Sequence, residues 1–400
     1  MQNCMLLSRR EVEEQRLTIE TRVRIGVVGL GLIGQVVHLP NLGRLGDRFV
    51  VTHVSDLSRT LMDRIASVLP GSPRTSIDAT DLLSDPELDA VLLLTPGAHA
   101  SLAEQALLAG KHVLAEKPFC VTQAEADRLG RLAAERGLVL QVAYMKAYDP
   151  SLLAARAALE EMGPVRLVNV EVRHPTHESQ IASLDYLTPT DVDMDVVRAA
   201  EAAEARLGEV ALGTVPVGLD HLYRWVLLGS VIHELSALRA LGFEPPLSWA
   251  HIEAWPFDPA DGEADPPSLA ATAQLGDGAL LRLQWLWVPA YPRYEETISV
   301  VGTRGALRLD MPQPYGPNVA ARLCLRSPDG TERVLEDGRH RRDSGFLEEL
   351  RVFHAAITAG GPNPTAAGAA RADTASLQAF MQQLGGQLGI ELGGEAGRLA

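Results

Sequence analysis

The chain has 400 residues, 46% hydrophobic and 22% charged, with a formal net charge of −15. That length suggests two soluble domains, and the acidity excludes the basic face that nucleic acid or an anionic membrane would require. Three cysteines (Cys4, Cys120 and Cys324) lack paired spacing, which fits a reducing compartment without a disulfide framework. The opening MQNCMLLSRREVEEQRL has no long apolar core of a signal peptide. No run approaches the ~18 apolar residues of a spanning helix, so the expectation is a cytoplasmic protein.

Residues 1–22 read as a polar N-terminal extension. From Val23 the pattern alternates apolar strand, turn and helix, with strands expected at Arg24–Val28, Val50–Ser55, Ala90–Leu94, His112–Ala115 and Val139–Ala143. SLAEQALLAG reads as an intervening helix closed by Gly110. Short Val/Leu/Ile runs separated by helices argue a parallel sheet covered on both faces, an α/β domain over residues 23–144.

Beyond residue 144 the rhythm changes. DPSLLAARAALEEMG predicts a helix with Asp149 as N-cap, Pro150 in the first turn and Gly163 past the end. Longer alternating runs then follow, among them VRLVNVEVRH, ALLRLQWLWV, ETISVVG and ALRLDM, several separated by turns such as GDG and GTRG. They predict an α+β domain over residues 145–400 with an open, mainly antiparallel sheet and helices at the C-terminus. Its exposed sheet face is expected to be apolar and to drive a homodimer or homotetramer. The long acidic stretch 176–216 reads as an insertion or lid.

Two stretches carry chemistry. GLGLIG places Gly29, Gly31 and Gly34 in G-x-G-x-x-G spacing after a strand and at the start of a helix, with Leu32 and Ile33 in the turn. Gly29 permits the tight turn, Gly31 leaves room for a pyrophosphate, and Gly34 lets the helix pack so that its amides face the anion. Asp56 follows 22 residues after Gly34, where an acid grips an adenosine ribose and favours NAD; Arg59 nearby leaves NADP open. The second stretch is HVLAEKPFC, in which a buried strand ends in Glu116, Lys117 and Pro118. A lysine at the carboxyl end of a sheet strand stands where open α/β folds bind ligands.

With GVVGLGLIG, LTPGAHASLAEQALLAGKHVLAEKP and VIHELSALRALG together, the chain from Val23 to the C-terminal helices resembles the glucose–fructose oxidoreductase, inositol dehydrogenase and MocA-type oxidoreductases. The resemblance implies a Rossmann domain, a second domain with an open mixed sheet, and a cleft between them for NAD(P) and a sugar, cyclitol or similar substrate. It implies that Thr95, Pro96 and His99 belong to the loop beneath the dinucleotide, with Gly97 where many members carry Asn. It places Glu116, Lys117 and Pro118 in the Glu-Lys-Pro motif, often with a cis Lys–Pro bond, Tyr144 and Lys146 against substrate, and His233 as the acid–base residue. Two departures stand out. Acids often found four residues before and three after that histidine are replaced by Gly229 and Ser236, and Glu234 lies one step round the helix.

Lys117 would stabilise a developing alkoxide, with His233 exchanging the proton and Glu116 orienting the lysine. The expected activity is hydride transfer between nicotinamide and a secondary alcohol or ketone. The missing acids leave two alternatives: elimination or glycoside cleavage without net redox change, and a nucleotide-sensing regulatory protein. No metal is expected, because HPTH lacks further ligands and Ala237 stands where an H-E-x-x-H motif needs its second histidine.

Overall fold

The computed structural model describes residues 22–262, 264–315, 319, 321–337 and 343–399. The expected extension lies, except for its last residue, outside the described residues, as does Cys4; Cys120 and Cys324 are free thiols. Among the described residues no helix is long and apolar enough to cross a membrane.

The first sheet contains β1 (Val23–Val28), β2 (Phe49–Ser55), β3 (Arg74–Ser76), β4 (Ala90–Leu93), β5 (His112–Ala115) and β6 (Leu140–Val142), ordered β3-β2-β1-β4-β5-β6. All neighbours pair in parallel. Strands such as β4, buried at every position, account for the continuous apolar runs. Strand β3 carries only Arg-Thr-Ser and is half exposed, so no apolar pattern announced it. The strand order reverses between β1 and β4, and ligands of open α/β sheets bind outside the strand ends at such a switch point.

After β6 a short 3₁₀ turn, Met145–Tyr148, leads into the helix Pro150–Met162. Asp149 caps it by accepting from the Ser151 amide at 2.8 Å, and Gly163 ends it at φ 67°. The second sheet has eight strands: β7 (Val165–His174), β8 (His251–Trp255), β9 (Ser268–Gln274), β10 (Leu280–Trp287), β11 (Glu295–Gly302), β12 (Ala306–Met311), β13 (Arg322–Arg326) and β14 (Glu332–Glu336). Their order is β14-β13-β12-β11-β7-β10-β9-β8, antiparallel except where β7 meets β10. The inner face carries Val168, Val170, Leu281, Leu283, Ile298 and Val300, all buried in the main core.

The outer face corrects an expectation. It is not apolar: Asn169, Glu171 and Arg173 on β7 lie beside Arg282 and Gln284 on β10 and Thr297 on β11. Arg173 pairs with Glu171 and, at 2.9 Å, with Glu295. Most outward positions are polar, with Leu280 and Val301 among the exceptions, but which alternate faces outward depends on register. The apolar-patch argument for sheet-to-sheet association therefore has no footing on this part of the face.

The C-terminal helices return to the first domain. Leu347, Leu350 and Phe353 of the helix Gly345–Ala359 share a core with Ile25, Val27 and Leu92. Glu349 in this helix is fully buried, and among the described residues no group hydrogen-bonds either carboxylate oxygen. Burial, reinforced by the charge of Glu116, raises its pKa well above the ordinary carboxylate value. A carboxyl whose pKa rises on folding contributes stability fully below its unfolded pKa and loses it as pH climbs toward the folded value. Thermal unfolding of Glu349→Gln should therefore show a higher melting temperature than wild type at pH 8 and little difference at pH 4; equal shifts at both would mean that no titration is buried there.

Candidate active site

The glycine turn follows β1 directly. Gly29 has φ +92°, and a Cβ there would stand 2.8 Å from the Leu94 carbonyl carbon and the Thr95 nitrogen. A Cβ on Gly34 would meet the Gly29 oxygen at 3.2 Å, whereas nothing lies within 4 Å of the corresponding point at Gly31. The turn is thus closed by protein on two sides and open on the one where a pyrophosphate needs room. Leu32 and Ile33 lie half-buried at the start of the following helix. Asp56, at the end of β2, accepts from the Leu30 amide at 2.7 Å and the Ser58 amide at 2.8 Å, so the acid is fixed beside the turn. Arg59 is exposed and begins the helix Arg59–Val68, capped by Ser58. These residues fit a dinucleotide.

The loop after β4 carries half-buried Thr95, exposed Pro96 and Gly97 at φ +79°. His99 is fully buried, its ring nitrogens 2.8 Å from the Thr95 carbonyl oxygen and 3.0 Å from that of Pro118. It is a strut between the loops after β4 and β5, and burial holds its pKa down. The Lys117–Pro118 peptide is cis. Glu116 is buried against His38, 2.8 Å from its Nε2, and accepts from the Lys117 amide at 3.1 Å. Burial works to raise the Glu116 carboxyl, but the His38 hydrogen bond and the charges of His38 and Lys117 outweigh it and keep the pKa low.

Lys117 extends from the end of β5 across to the second domain, where its Nζ donates to the Gly229 carbonyl at 2.8 Å. Gly229 lies in a π-helical stretch, Leu222–Val231, that runs straight into the α-helix Ile232–Leu241. Such wide turns recur at functional sites. A backbone carbonyl thus meets the lysine at the position where the resemblance anticipates a carboxylate. Burial lowers the Lys117 pKa, and the nearby Lys146 charge adds to that effect against Glu116 and Glu234. His233, on the first turn of the α-helix, is held neutral by burial and by Lys117 and Lys146; its Nδ1 has no hydrogen-bond partner among the described residues.

Lys146 reaches the same cluster from the 3₁₀ turn after β6. It is 6% exposed and donates to Glu234 at 2.7 Å and Glu296 at 2.6 Å. The Tyr294 hydroxyl also donates to Glu296, at 2.7 Å. Burial pushes Glu234 up to about 7, opposed by Lys146 and supported by Glu296. Glu234 therefore partners Lys146, and Ser236 donates only to the His233 carbonyl, at 2.9 Å. Tyr144, anticipated against substrate, is 1% exposed in the core, and its hydroxyl has no hydrogen-bond partner among the described residues. The charges it feels are those of Asp373, Cys120 and Arg239 rather than of the lysine pair.

Sequence reasoning missed Glu296 and an aromatic wall. His174, Trp285 and Trp287 end the inner faces of β7 and β10; His174 lies 5.0 and 5.6 Å from the two indoles, and Tyr294 closes edge-on at 5.7 Å. Trp285 donates to Ser230 at 2.9 Å. Alternation along VRLVNVEVRH puts His174 on the same side as Val172, a signal that needs the register to become useful.

Stretch 176–216 forms the helices His177–Ile181 and Met194–Leu212 and lies against the first domain. The Gln35 side chain donates to the Leu187 carbonyl at 2.9 Å and accepts from its amide at 2.8 Å. Asp191 accepts from Ser58 and Thr60, and Glu204 from the Ala98 amide at 2.7 Å. The segment thus touches the residues that follow β1, β2 and β4.

Comparison with known proteins agrees with this geometry. Residues 23–144 match a family described as an oxidoreductase family with an NAD-binding Rossmann fold. Inositol 2-dehydrogenase 2 of Paenarthrobacter aurescens is 27% identical over 376 residues, 90% of this chain and 96% of that one. The uncharacterized oxidoreductase YdgJ of Escherichia coli is 33% identical over 141 residues, 35% of this chain and only 39% of its own length. The crystal structure of GenD2 from gentamicin A biosynthesis, in complex with NAD, superposes with a TM-score of 0.65 at 22% identity, covering 91% of this chain and 95% of that one. Residues 23–144 thus match the NAD-binding Rossmann domain of the glucose–fructose oxidoreductase, inositol dehydrogenase and MocA family of oxidoreductases, and over most of its length the chain is similar to an inositol dehydrogenase.

Proposed function

We propose that the protein is an NAD-dependent dehydrogenase or reductase acting on a secondary alcohol or ketone of a sugar, cyclitol or related polyhydroxy compound. The observation that carries this reading is the meeting of a part-buried lysine and a neutral histidine at the end of β5. Bound nicotinamide supplies the acceptor or donor of hydride. Gly29, Gly31, Gly34 and Asp56 would hold the dinucleotide, with Thr95 and Pro96 beneath it.

In the oxidative direction His233 accepts the hydroxyl proton, for which its neutral imidazole is already in the required state. The Lys117 ammonium stabilises the negative charge that grows on the same oxygen, and its fixed hydrogen bond to Gly229 limits reorganisation during reaction. Lys146, held by Glu234 and Glu296, offers a neighbouring hydroxyl a polar partner. The His174, Trp285 and Trp287 wall supplies the apolar face on which a sugar or cyclitol ring can lie. The name of the Paenarthrobacter relative, an inositol dehydrogenase, supports a cyclitol within that substrate class.

A panel of cyclitols and sugars with NAD should reveal turnover, and Lys117→Ala should lower kcat by roughly 10²–10⁴ while the thermal shift given by NADH persists. A Lys117→Ala enzyme with undiminished kcat and the wild-type pH profile would remove the lysine from the mechanism.

The pH dependence has its own assignment. Glu234, pushed up to about 7, is protonated below neutrality and charged above it. Its ionisation adds a negative charge that favours the ammonium form of Lys117, the form that stabilises the growing alkoxide, so the oxidation rate should rise through pH 7. His233 itself, held well below its ordinary value, does not titrate in that window. The limb near pH 7 should therefore vanish in Glu234→Gln; its survival there would transfer the titration to another group.

A further inference from the structure

Asp191 carries an inference beyond the family motifs. It lies in the loop between the helices His177–Ile181 and Met194–Leu212, far along the chain from the nucleotide domain. Its carboxylate nevertheless sits on the start of the helix Arg59–Val68. One oxygen accepts from the hydroxyls of Ser58 and, at 2.9 Å, Thr60; the other accepts from the Thr60 amide at 3.1 Å. These hydrogen bonds hold its pKa near 2, led by that of Ser58, so it is an anion at any working pH.

The position matters because of its neighbours. Asp56, the ribose-binding acid of the proposed cofactor site, donates nothing and accepts from the amide of Ser58, two residues on. In a Rossmann site this acid reads the 2′-hydroxyl of the adenosine ribose, and NADP places a phosphate there instead. The hydroxyl, amide and arginine donors next in line, Ser58, Thr60 and Arg59, are the groups such a phosphate would recruit. Here an anion from the chain itself already engages Ser58 and Thr60. It is not carried by a loose loop, since Leu187 exchanges two hydrogen bonds with Gln35 on one side and Glu204 accepts from Ala98 on the other.

We propose that Asp191 is a cofactor-specificity residue: its carboxylate occupies the anion position at the start of the helix Arg59–Val68 that the 2′-phosphate of NADP would need, and the protein therefore selects NAD. The proposal rests on the dehydrogenase reading of the site and answers the ambiguity that Arg59 introduces. Two acids, Asp56 and Asp191, then face the 2′ position from different domains. An NADP phosphate would have to displace the second against like-charge repulsion.

Isothermal titration of full-length protein with NAD⁺ and with NADP⁺ tests it, alongside kcat/KM for each. Wild type should bind NAD⁺ more tightly. D191A should tighten NADP⁺ binding by roughly tenfold or more with NAD⁺ affinity little changed, because it frees Ser58 and Thr60 and removes the negative charge at the start of that helix. Asp191 is exposed, so the substitution leaves the core intact, and D191S provides a polar second variant with the same expectation. An unchanged NADP⁺/NAD⁺ ratio in both variants, or a parallel loss of both affinities, would overturn the assignment and leave Asp191 as a tether. A wild-type protein that prefers NADP⁺ would overturn it as well. Binding of neither nucleotide would instead bring down the dehydrogenase reading itself, and the specificity proposal with it.

Discussion

The hydrogen bond from Lys117 to the Gly229 carbonyl is the contact on which the site depends. It joins the end of β5 in the nucleotide domain to the π-helical stretch of the second domain. An ammonium withdrawn from water is costly unless it finds a partner, and for the part-buried Lys117 the partner is a main-chain oxygen. A carboxylate would hold the lysine more strongly and favour its charged form. A neutral carbonyl lets burial and the Lys146 charge keep the pKa low. The amine is thereby kept in place without being neutralised by an ion pair.

The available carboxylates are concentrated elsewhere. Glu234 and Glu296 both go to Lys146, leaving that trio with one negative charge in excess when all three are ionised. Burial makes the full complement unfavourable, and Glu234 bears the cost as a raised pKa. His233 stands beside two ammonium groups and shares no hydrogen bond with an acid at its Nδ1. Residues with strongly shifted titration thus gather in one cleft, lined on its other side by His174 and the paired indoles, a pattern common to sites that move protons.

The second domain contributes more than an aromatic wall. Its long insertion reaches back over the nucleotide domain through Leu187, Asp191 and Glu204, while the helix Gly345–Ala359 completes the first domain's core. The two units defined by sequence rhythm are therefore interlocked in space. The outer face of the large sheet, by contrast, is occupied by charged and polar side chains paired with one another, which removes any general requirement that it be covered by a second apolar surface.

Local chemistry determined much of this from the sequence alone. The glycine turn, the five apolar strands around it, the Asp149 cap and the Gly163 stop were legible because each depends on neighbours a few residues away. Lys117, Lys146 and His233 were legible as candidates through motif and resemblance. Their convergence was decided only by tertiary structure, as were the pairing of Glu234 with Lys146 and the core position of Tyr144. The places of Glu296, His174 and Asp191 in the site could not be read: strand alternation names two faces without saying which is inward, and Asp191 meets Ser58 across more than a hundred residues of chain. Spacing along a chain fixes what is periodic and local; which distant charges share a cleft is fixed by how helices and sheets pack, because burial and electrostatic coupling depend on distance in space.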